Sequence, residues 1–303
     1  ESINFIDRYE RLEKISSDTN IRKNFPLLKE INIPINIFDK IDSACSFYLY
    51  SCLSECYKDV YLRTYSSDYN SQRVINLPNR TPNGLILPKR QNLLAYNYLH
   101  GVIVDLIEYI GLHKHIDKIH NPINIRYVES KPNEVVDSRP FSSTKWHTDC
   151  WNGEPANTVM VFVPVCGDLI KNGITFCEPN PNEFMEIAKV LKDYFEGSHL
   201  LEQSKHYDIF LDNEFLYLTD PYLLHKTVKK GGSGRLSIDF RFTTSYQCFT
   251  DVEVSSKRYE NYIPYSEWAK IGKSKLLFSN LNIDEFHEEE VNTYASRYET
   301  VSL

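Results

Sequence analysis

The sequence predicts an α+β protein, with a jelly-roll-like β core covered on one face by an N-terminal layer of helices. Two observations carry this. Apolar residues in the first 120 positions recur near a 3.6-residue period. From about residue 121 the chain becomes a series of short runs rich in β-branched and aromatic residues, punctuated by Gly, Pro, Asn and Asp. The expected organisation is a helical layer over 1–120, a β core over 121–250 and a C-terminal extension over 251–303, together one compact unit. A chain of 303 residues is ample for such a core. The 21 Tyr and 16 Phe suit sheets and partly wet pockets.

The elements follow in order. Residues 3–15 place Ile3, Phe5, Ile6, Tyr9, Leu12 and Ile15 close to a helical period, and 38–65 keep the same rhythm. Turn residues and prolines break the chain between 66 and 88. Residues 89–116 give the strongest helix, apolar around much of its circumference. Strands are expected at 123–130, 157–165, 173–179, 206–211, 214–220, 223–228 and 235–244, with one amphipathic helix inserted at 182–197. The charged tail after 251 mixes helix and coil.

Composition narrows the function. A formal net charge of -7 argues against a broad phosphate-binding face, so no nucleic-acid partner is expected. No apolar run reaches membrane-spanning length, and the greasiest stretch, 99–112, carries Asp105 and Glu108. The N-terminus shows no signal-peptide pattern. Seven cysteines, scattered and without a CxxC pair, read as reduced thiols of a cytoplasmic protein. A small-molecule substrate fits this profile best.

The chemistry concentrates in two stretches. In "KWHTDCWNGE", residues 145–154, His147 and Asp149 stand two apart. On a strand, alternate side chains share a face about 6.6 Å apart, so both could aim at one point. A third ligand is available in "DPYLLHKTVKKGGSGRLSIDFRF" as His225. Two histidines and a carboxylate on one face leave open positions and suit non-haem Fe(II). Further on, Arg235, Ser237, Asp239 and Arg241 share one face of an alternating strand, with Leu236, Ile238, Phe240 and Phe242 on the other. A guanidinium fork with a hydroxyl two residues away makes a carboxylate clamp.

With those residues in place, residues 121–245 resemble the Fe(II)/2-oxoglutarate-dependent oxygenases. The shared pattern is H-x-D, a distal His on a late strand, then R-x-S, matched by His147, Asp149, His225, Arg235 and Ser237. Within the family the flavour is that of small-molecule tailoring hydroxylases of the streptomycin-biosynthesis type. The resemblance implies a double-stranded β-helix (jelly-roll) core. Fe(II) would bind to His147, Asp149 and His225, and the far carboxylate of 2-oxoglutarate to Arg235 and Ser237. With O2, 2-oxoglutarate would yield succinate and CO2 while a small polar metabolite of sugar, amino-acid or antibiotic-precursor type is hydroxylated. Halogenating relatives lack the carboxylate ligand, so Asp149 favours hydroxylation.

Several alternatives stay open. Arg241 could serve as the clamp in place of Arg235, or could simply pair with Asp239. Trp146 and Trp151 either line the substrate mouth or pack in the core. Arg126 and Tyr127 face opposite sides, and one of them looks into the barrel. His206 and Asp208 form a second H-x-D, placed just before a tight turn. His113, His115 and His120 suit a solvated helix end. "VKKGGSG" reads as a strand connection, because no helix or Walker spacing follows. Two other classes remain: a metal-dependent cupin-like hydrolase or isomerase, and a non-catalytic jelly-roll binding protein.

Overall fold

The computed structural model describes residues 5–53, 77, 79–129, 138–251, 257–279 and 298–303. Its elements are mixed α and β, and every strand pair in its sheets is antiparallel. Helix α1 (Ile6–Ser16) precedes strands β1 (Ile21–Phe25) and β2 (Leu28–Asn32). Then come α2 (Ile35–Cys52) and α3 (Leu93–Tyr109). The expected helix over 38–65 is thus matched as far as Cys52; residues 54–65 lie outside the described residues. The helix expected at 89–116 is broken at both ends. A 3₁₀ turn, Arg90–Asn92, opens it, and Gly111 at φ 81° closes it before a second 3₁₀ turn, Leu112–His115.

The β elements are β3 (Lys118–His120), β4 (Asn124–Val128), β5 (Thr158–Gly167), β6 (Ile174–Glu178), β7 (Lys205–His206), β8 (Phe215–Thr219), β9 (Leu224–Thr227) and β10 (Arg235–Thr243). The tail adds β11 (Tyr262–Pro264), β12 (Lys275–Phe278) and β13 (Glu299–Ser302). One large sheet runs β1-β2-β8-β5-β10-β3-β11, with β4 also paired to β10. A smaller sheet runs β7-β6-β9.

Strand β10 organises the molecule through its alternation. Leu236, Ile238, Phe240 and Phe242 join Ile41, Tyr48, Leu99 and Ile103 in one core beneath α2 and α3. The other face carries Arg235, Ser237, Asp239 and Arg241. There Asp239 is in register with Phe162 of β5, which packs with Phe176 and Leu224 of the smaller sheet in a second core. The functional face of β10 therefore looks between the two sheets, and the apolar face holds the helices. Burial of each large apolar side chain contributes roughly 1.5–3 kcal/mol.

Three expectations change. The N-terminal layer is not all helix: the β1–β2 hairpin extends the large sheet, with β2 paired to β8. Its alternation was hidden because Lys29 and Glu30 are both buried, Lys29 beside Glu13 and Glu30 beside Arg22. The insertion at 182–197 is not one helix but a 3₁₀ turn, a single turn Phe184–Ile187, and a 3₁₀ stretch Tyr194–Gln203. Tertiary hydrogen bonds win here: Leu191 N donates to Trp151 O and Tyr194 N to Pro140 O. The 206–211 strand shrinks to Lys205–His206, since Tyr207 N and Asp212 N turn to Phe176 O and the Tyr217 hydroxyl. The tail after 251, read as mixed helix and coil, also carries strands. β11 pairs with β3, and Asn97 of α3 bonds the backbone of Leu277 in both directions, 3.0 and 2.7 Å. Among the described residues no helix is long and apolar enough to cross a membrane.

Candidate metal centre and its pocket

His147 and His225 face each other in an antiparallel bridge. His147 N donates to His225 O at 3.0 Å and His225 N to His147 O at 2.8 Å. The two rings lie 4.3 Å apart. Asp149 does not continue a strand, as its spacing had suggested; it opens a 3₁₀ turn, Asp149–Asn152, pinned by its N–H to Pro221 O. Thr148 is extended, so the two-residue spacing still turns both side chains the same way. Ligand atoms of His147, Asp149 and His225 all lie within 4.8 Å of one another, and all three residues are buried.

The protonation pattern fits a cation. His147 Nδ1 lies 2.8 Å from Lys145 O, and His225 Nδ1 lies 3.0 Å from Leu223 O. A carbonyl can only accept, so each Nδ1 carries the proton and each Nε2 presents a lone pair. Burial, then the neighbouring His225, pushes the His147 imidazole down to about 3, which keeps it neutral at physiological pH. Burial would raise the Asp149 carboxyl. The charge of Arg241 overcomes this, helped by His225, and holds it well below the usual carboxylate range. A neutral imidazole at His147 and an ionised carboxylate at Asp149 are the forms that bind metal.

The same burial sets an acid limit on the metal-free fold. His100, buried against Trp268 O, is also pushed down to about 3. Between 6.5 and 3 the unfolded chain binds a proton at each of these histidines and the folded chain does not. Stability is therefore full above the unfolded value and falls with pH below it. Each histidine contributes a slope of about 1.4 kcal/mol per pH unit. Urea unfolding of metal-free protein should lose roughly 2–3 kcal/mol between pH 7.5 and 5.5; a flat profile over that range would contradict the assignment.

A cavity of about 140 Å³ adjoins the triad. His147, Asp149 and Arg241 line it together with Arg126, Asn124, Glu154, His120, Asn83, Asn152 and Asn261. Tyr194 stacks on His147, with ring centroids 4.4 Å apart and planes 10° from parallel. Glu154 accepts from the Tyr262 hydroxyl at 2.8 Å. The sequence reading did not single out Tyr194, Glu154, Asn124 or Tyr262 for the site. Tyr194 sits in the segment expected as a regular helix, where no spacing links it to His147. Asn124 could have been found: it is two residues from Arg126 on β4, hence on the same face.

The other candidates separate. Arg126 faces the cavity and pairs with Asp239 at 3.2 Å, while Tyr127 turns to the helix side. Arg241 is enclosed by carboxylates: Asp149 at 2.9 Å, Asp239 at 3.3 Å and Glu154 at 3.9 Å. It pairs with Asp239 and lines the cavity, with its Nε making no hydrogen bond. Trp146 does not line the triad cavity. It faces an outer groove with His206 and Lys226, on the side of the chain away from His147. Trp151 is fully buried in the second core, its indole N–H bonded to Glu186 O. A Cβ on Gly197 would lie 2.1 Å from its ring, so this is packing and not a substrate mouth. His206 pairs with Cys177, and Asp208 joins no metal-binding group among the described residues. His113 and His115 lie in the 3₁₀ turn after α3, with His115 bonded to the Tyr246 hydroxyl. "VKKGGSG" is a connection with Gly231 and Gly232 at positive φ.

Arg235 is the outlier. It is 1% exposed, yet its guanidinium has one hydrogen bond, from Nη1 to Asn172 O at 2.7 Å. Its Nε has no partner, and no carboxylate among the described residues pairs with it. Burial, then repulsion from Arg126, pushes its pKa down to about 9 against the pull of Asp239. Two residues along the same face, the Ser237 hydroxyl is buried without a partner. An unpaired buried cation costs several kcal/mol.

No protein-family model matches the chain, and no curated protein matches it. Solved structures do. A non-haem α-ketoglutarate-dependent epimerase, SnoN from nogalamycin biosynthesis, is 12% identical, with 82% of this chain and 88% of that chain covered and a TM-score of 0.41. The α-ketoglutarate-dependent carbocyclase SnoK of the same biosynthesis is 12% identical over 67% and 83%, with a TM-score of 0.40. An N-substituted L-amino acid dioxygenase from Burkholderia ambifaria is 12% identical over 72% and 84%, with a TM-score of 0.34.

Proposed function

We propose that this protein is an Fe(II)- and 2-oxoglutarate-dependent oxygenase that hydroxylates a small polar metabolite. The observation that carries the reading is the presence of two features linked through strand β10, on which Arg235 and Ser237 share a face with Arg241, the partner of Asp149. One is a buried His-Asp-His cluster with both Nε2 atoms available; the other is a buried Arg235 that no carboxylate of the described residues pairs with, beside an unpartnered Ser237 hydroxyl. A metal-dependent hydrolase or isomerase would use the first and leave the second idle. The antiparallel sheets with this cluster between them support a double-stranded β-helix core. The described cysteines, all unbonded, support a reducing, cytoplasmic setting.

In this reading His147, Asp149 and His225 hold Fe(II), and Arg235 with Ser237 takes the far carboxylate of 2-oxoglutarate. Bound together, iron and cosubstrate supply the oxygen activation, with succinate and CO2 released and one oxygen atom transferred to substrate. The chain's own residues do the rest. The carbonyls of Lys145 and Leu223 lock the imidazoles in one tautomer. Tyr194 covers one face of His147 and keeps water from that side. Arg126, Asn124, Asn152 and Asn261 offer donors and acceptors to a polar substrate.

The test is an anaerobic titration of the apo protein with Fe(II) and then 2-oxoglutarate, followed by visible absorption. A charge-transfer band that needs both components is expected from the wild type. A wild type that retains Fe(II) but shows no band on adding 2-oxoglutarate overturns the proposal.

A further inference from the structure

We propose that Arg241 is a positioning residue that fixes Asp149 as a one-oxygen metal ligand. This deepens the reading above and rests on the His-Asp-His cluster being a metal site. The geometry divides the carboxylate in two. Arg241 Nη2 donates to Asp149 Oδ1 at 2.9 Å, whereas Oδ2 takes no hydrogen bond from any described residue. A carboxylate with one oxygen engaged and the other bare is set to ligate through the bare one.

Arg241 is itself held from behind. Its Nη1 donates to Asp239 Oδ1 at 3.3 Å, and its Nε lies 3.9 Å from Glu154 Oε1. Asp239 is anchored by Asn124 at 2.8 Å and Arg126 at 3.2 Å, and Glu154 by the Tyr262 hydroxyl at 2.8 Å. The guanidinium is thus fixed by two hydrogen bonds, to Asp149 and Asp239, with the Glu154 carboxylate facing its Nε, in a buried setting where a planar fork loses little freedom on bonding. The Asp149 backbone is fixed as well, through its N–H, which donates to Pro221 O, and its carbonyl, which accepts from the N–H groups of Gly153 and Glu154. Backbone and side chain together leave the carboxylate one orientation. The consequence is a carboxylate that cannot open to a two-oxygen grip and crowd the positions reserved for cosubstrate and oxygen.

This role differs from charge balance, and the two predict opposite outcomes. If Arg241 only neutralised the carboxylates, removing it would leave Asp239 and Glu154 unmasked and draw a divalent cation in more tightly. If it positions Asp149, removing it frees the ligand to rotate and binding weakens.

The experiment titrates Co(II) into full-length apo wild type, Arg241→Gln and Arg241→Lys, reading both affinity and the visible ligand-field spectrum. Thermal unfolding is measured alongside. Arg241→Gln should bind Co(II) about 10–100-fold more weakly, the usual cost of losing an outer partner of a ligand. Its spectrum should change. Arg241→Lys, which restores one donor, should recover part of the affinity. Co(II) binding by Arg241→Gln as tight as wild type, or tighter, overturns the inference while leaving the metal site standing. Should Arg241→Gln fail to fold, Arg241→Lys decides: Co(II) affinity below wild type with a shifted spectrum supports the positioning role, since the charge is kept and the fork is lost, and affinity equal to wild type or tighter overturns it. A wild type that binds no Co(II) refutes the metal site itself.

Discussion

Replacing Arg235 with Met is expected to stabilise the ligand-free protein and blind it to 2-oxoglutarate at the same time. The native side chain keeps a guanidinium in a buried site beside the Phe162 ring, with one carbonyl bond and no carboxylate paired to it among the described residues. Methionine preserves most of the stem's packing and removes the uncompensated charge. Substitutions of this kind in buried ionic sites gain about 1–4 kcal/mol. In a chain this long that is a rise of several degrees in Tm. The loss is functional. A charge-assisted pair with a carboxylate in a buried site is worth roughly 2–5 kcal/mol, so 2-oxoglutarate affinity should fall by about 30-fold to several thousandfold. Thermal unfolding without ligand and a 2-oxoglutarate titration of the metal-loaded protein check both halves. A destabilised Arg235→Met protein with unchanged affinity would move the clamp elsewhere.

The second large effect is at His225. Alanine there removes one of two imidazole ligands from a site with three protein donors. Metal affinity should therefore drop by far more than the roughly 10–100-fold that follows loss of an outer partner. The fold should survive, because the bridge to His147 runs through backbone atoms and a core of this size does not depend on metal to form. His147→Ala should behave alike, with a further loss of packing where Tyr194 stacks on the ring. Full metal binding in either variant, measured by equilibrium dialysis, would remove that residue from the site.

How much of this was legible in the sequence depends on where local pattern and tertiary contact agree. Strand β10 read correctly because its alternation is strict: polar residues at 235, 237, 239 and 241 on one face and apolar residues between them. The convergence of His147 and Asp149 was legible from spacing alone, although the chain achieves it with a bridge and a 3₁₀ turn in place of a strand. That same turn explains Trp151. Strand parity does not run past Asp149, so the ring ends in the core. Trp146 obeyed parity, and its place beside His147 in sequence already put it on the opposite side. The β1–β2 hairpin was hidden by Lys29 and Glu30, charges that are buried because Glu13 on α1 and Arg22 on β1 pair with them. Tyr194 was hidden for a related reason. Its segment has a helical apolar period, but the hydrogen bonds to Trp151 O and Pro140 O that bend it come from distant parts of the chain. Arg241 was singled out as a possible clamp, and only the register that sets it against Asp149 and Glu154 reveals a different neighbourhood.

The central claim is that the His-Asp-His cluster and the unpaired Arg235 serve one reaction. Succinate released from 2-oxoglutarate by the Fe(II)-loaded protein in air, with no substrate added, tests this most directly. Slow uncoupled turnover is predicted for the wild type, with His225→Ala and Arg235→Met both at background. A wild type that binds Fe(II) and forms no succinate above background would contradict the account, as would turnover that persists unchanged in either variant.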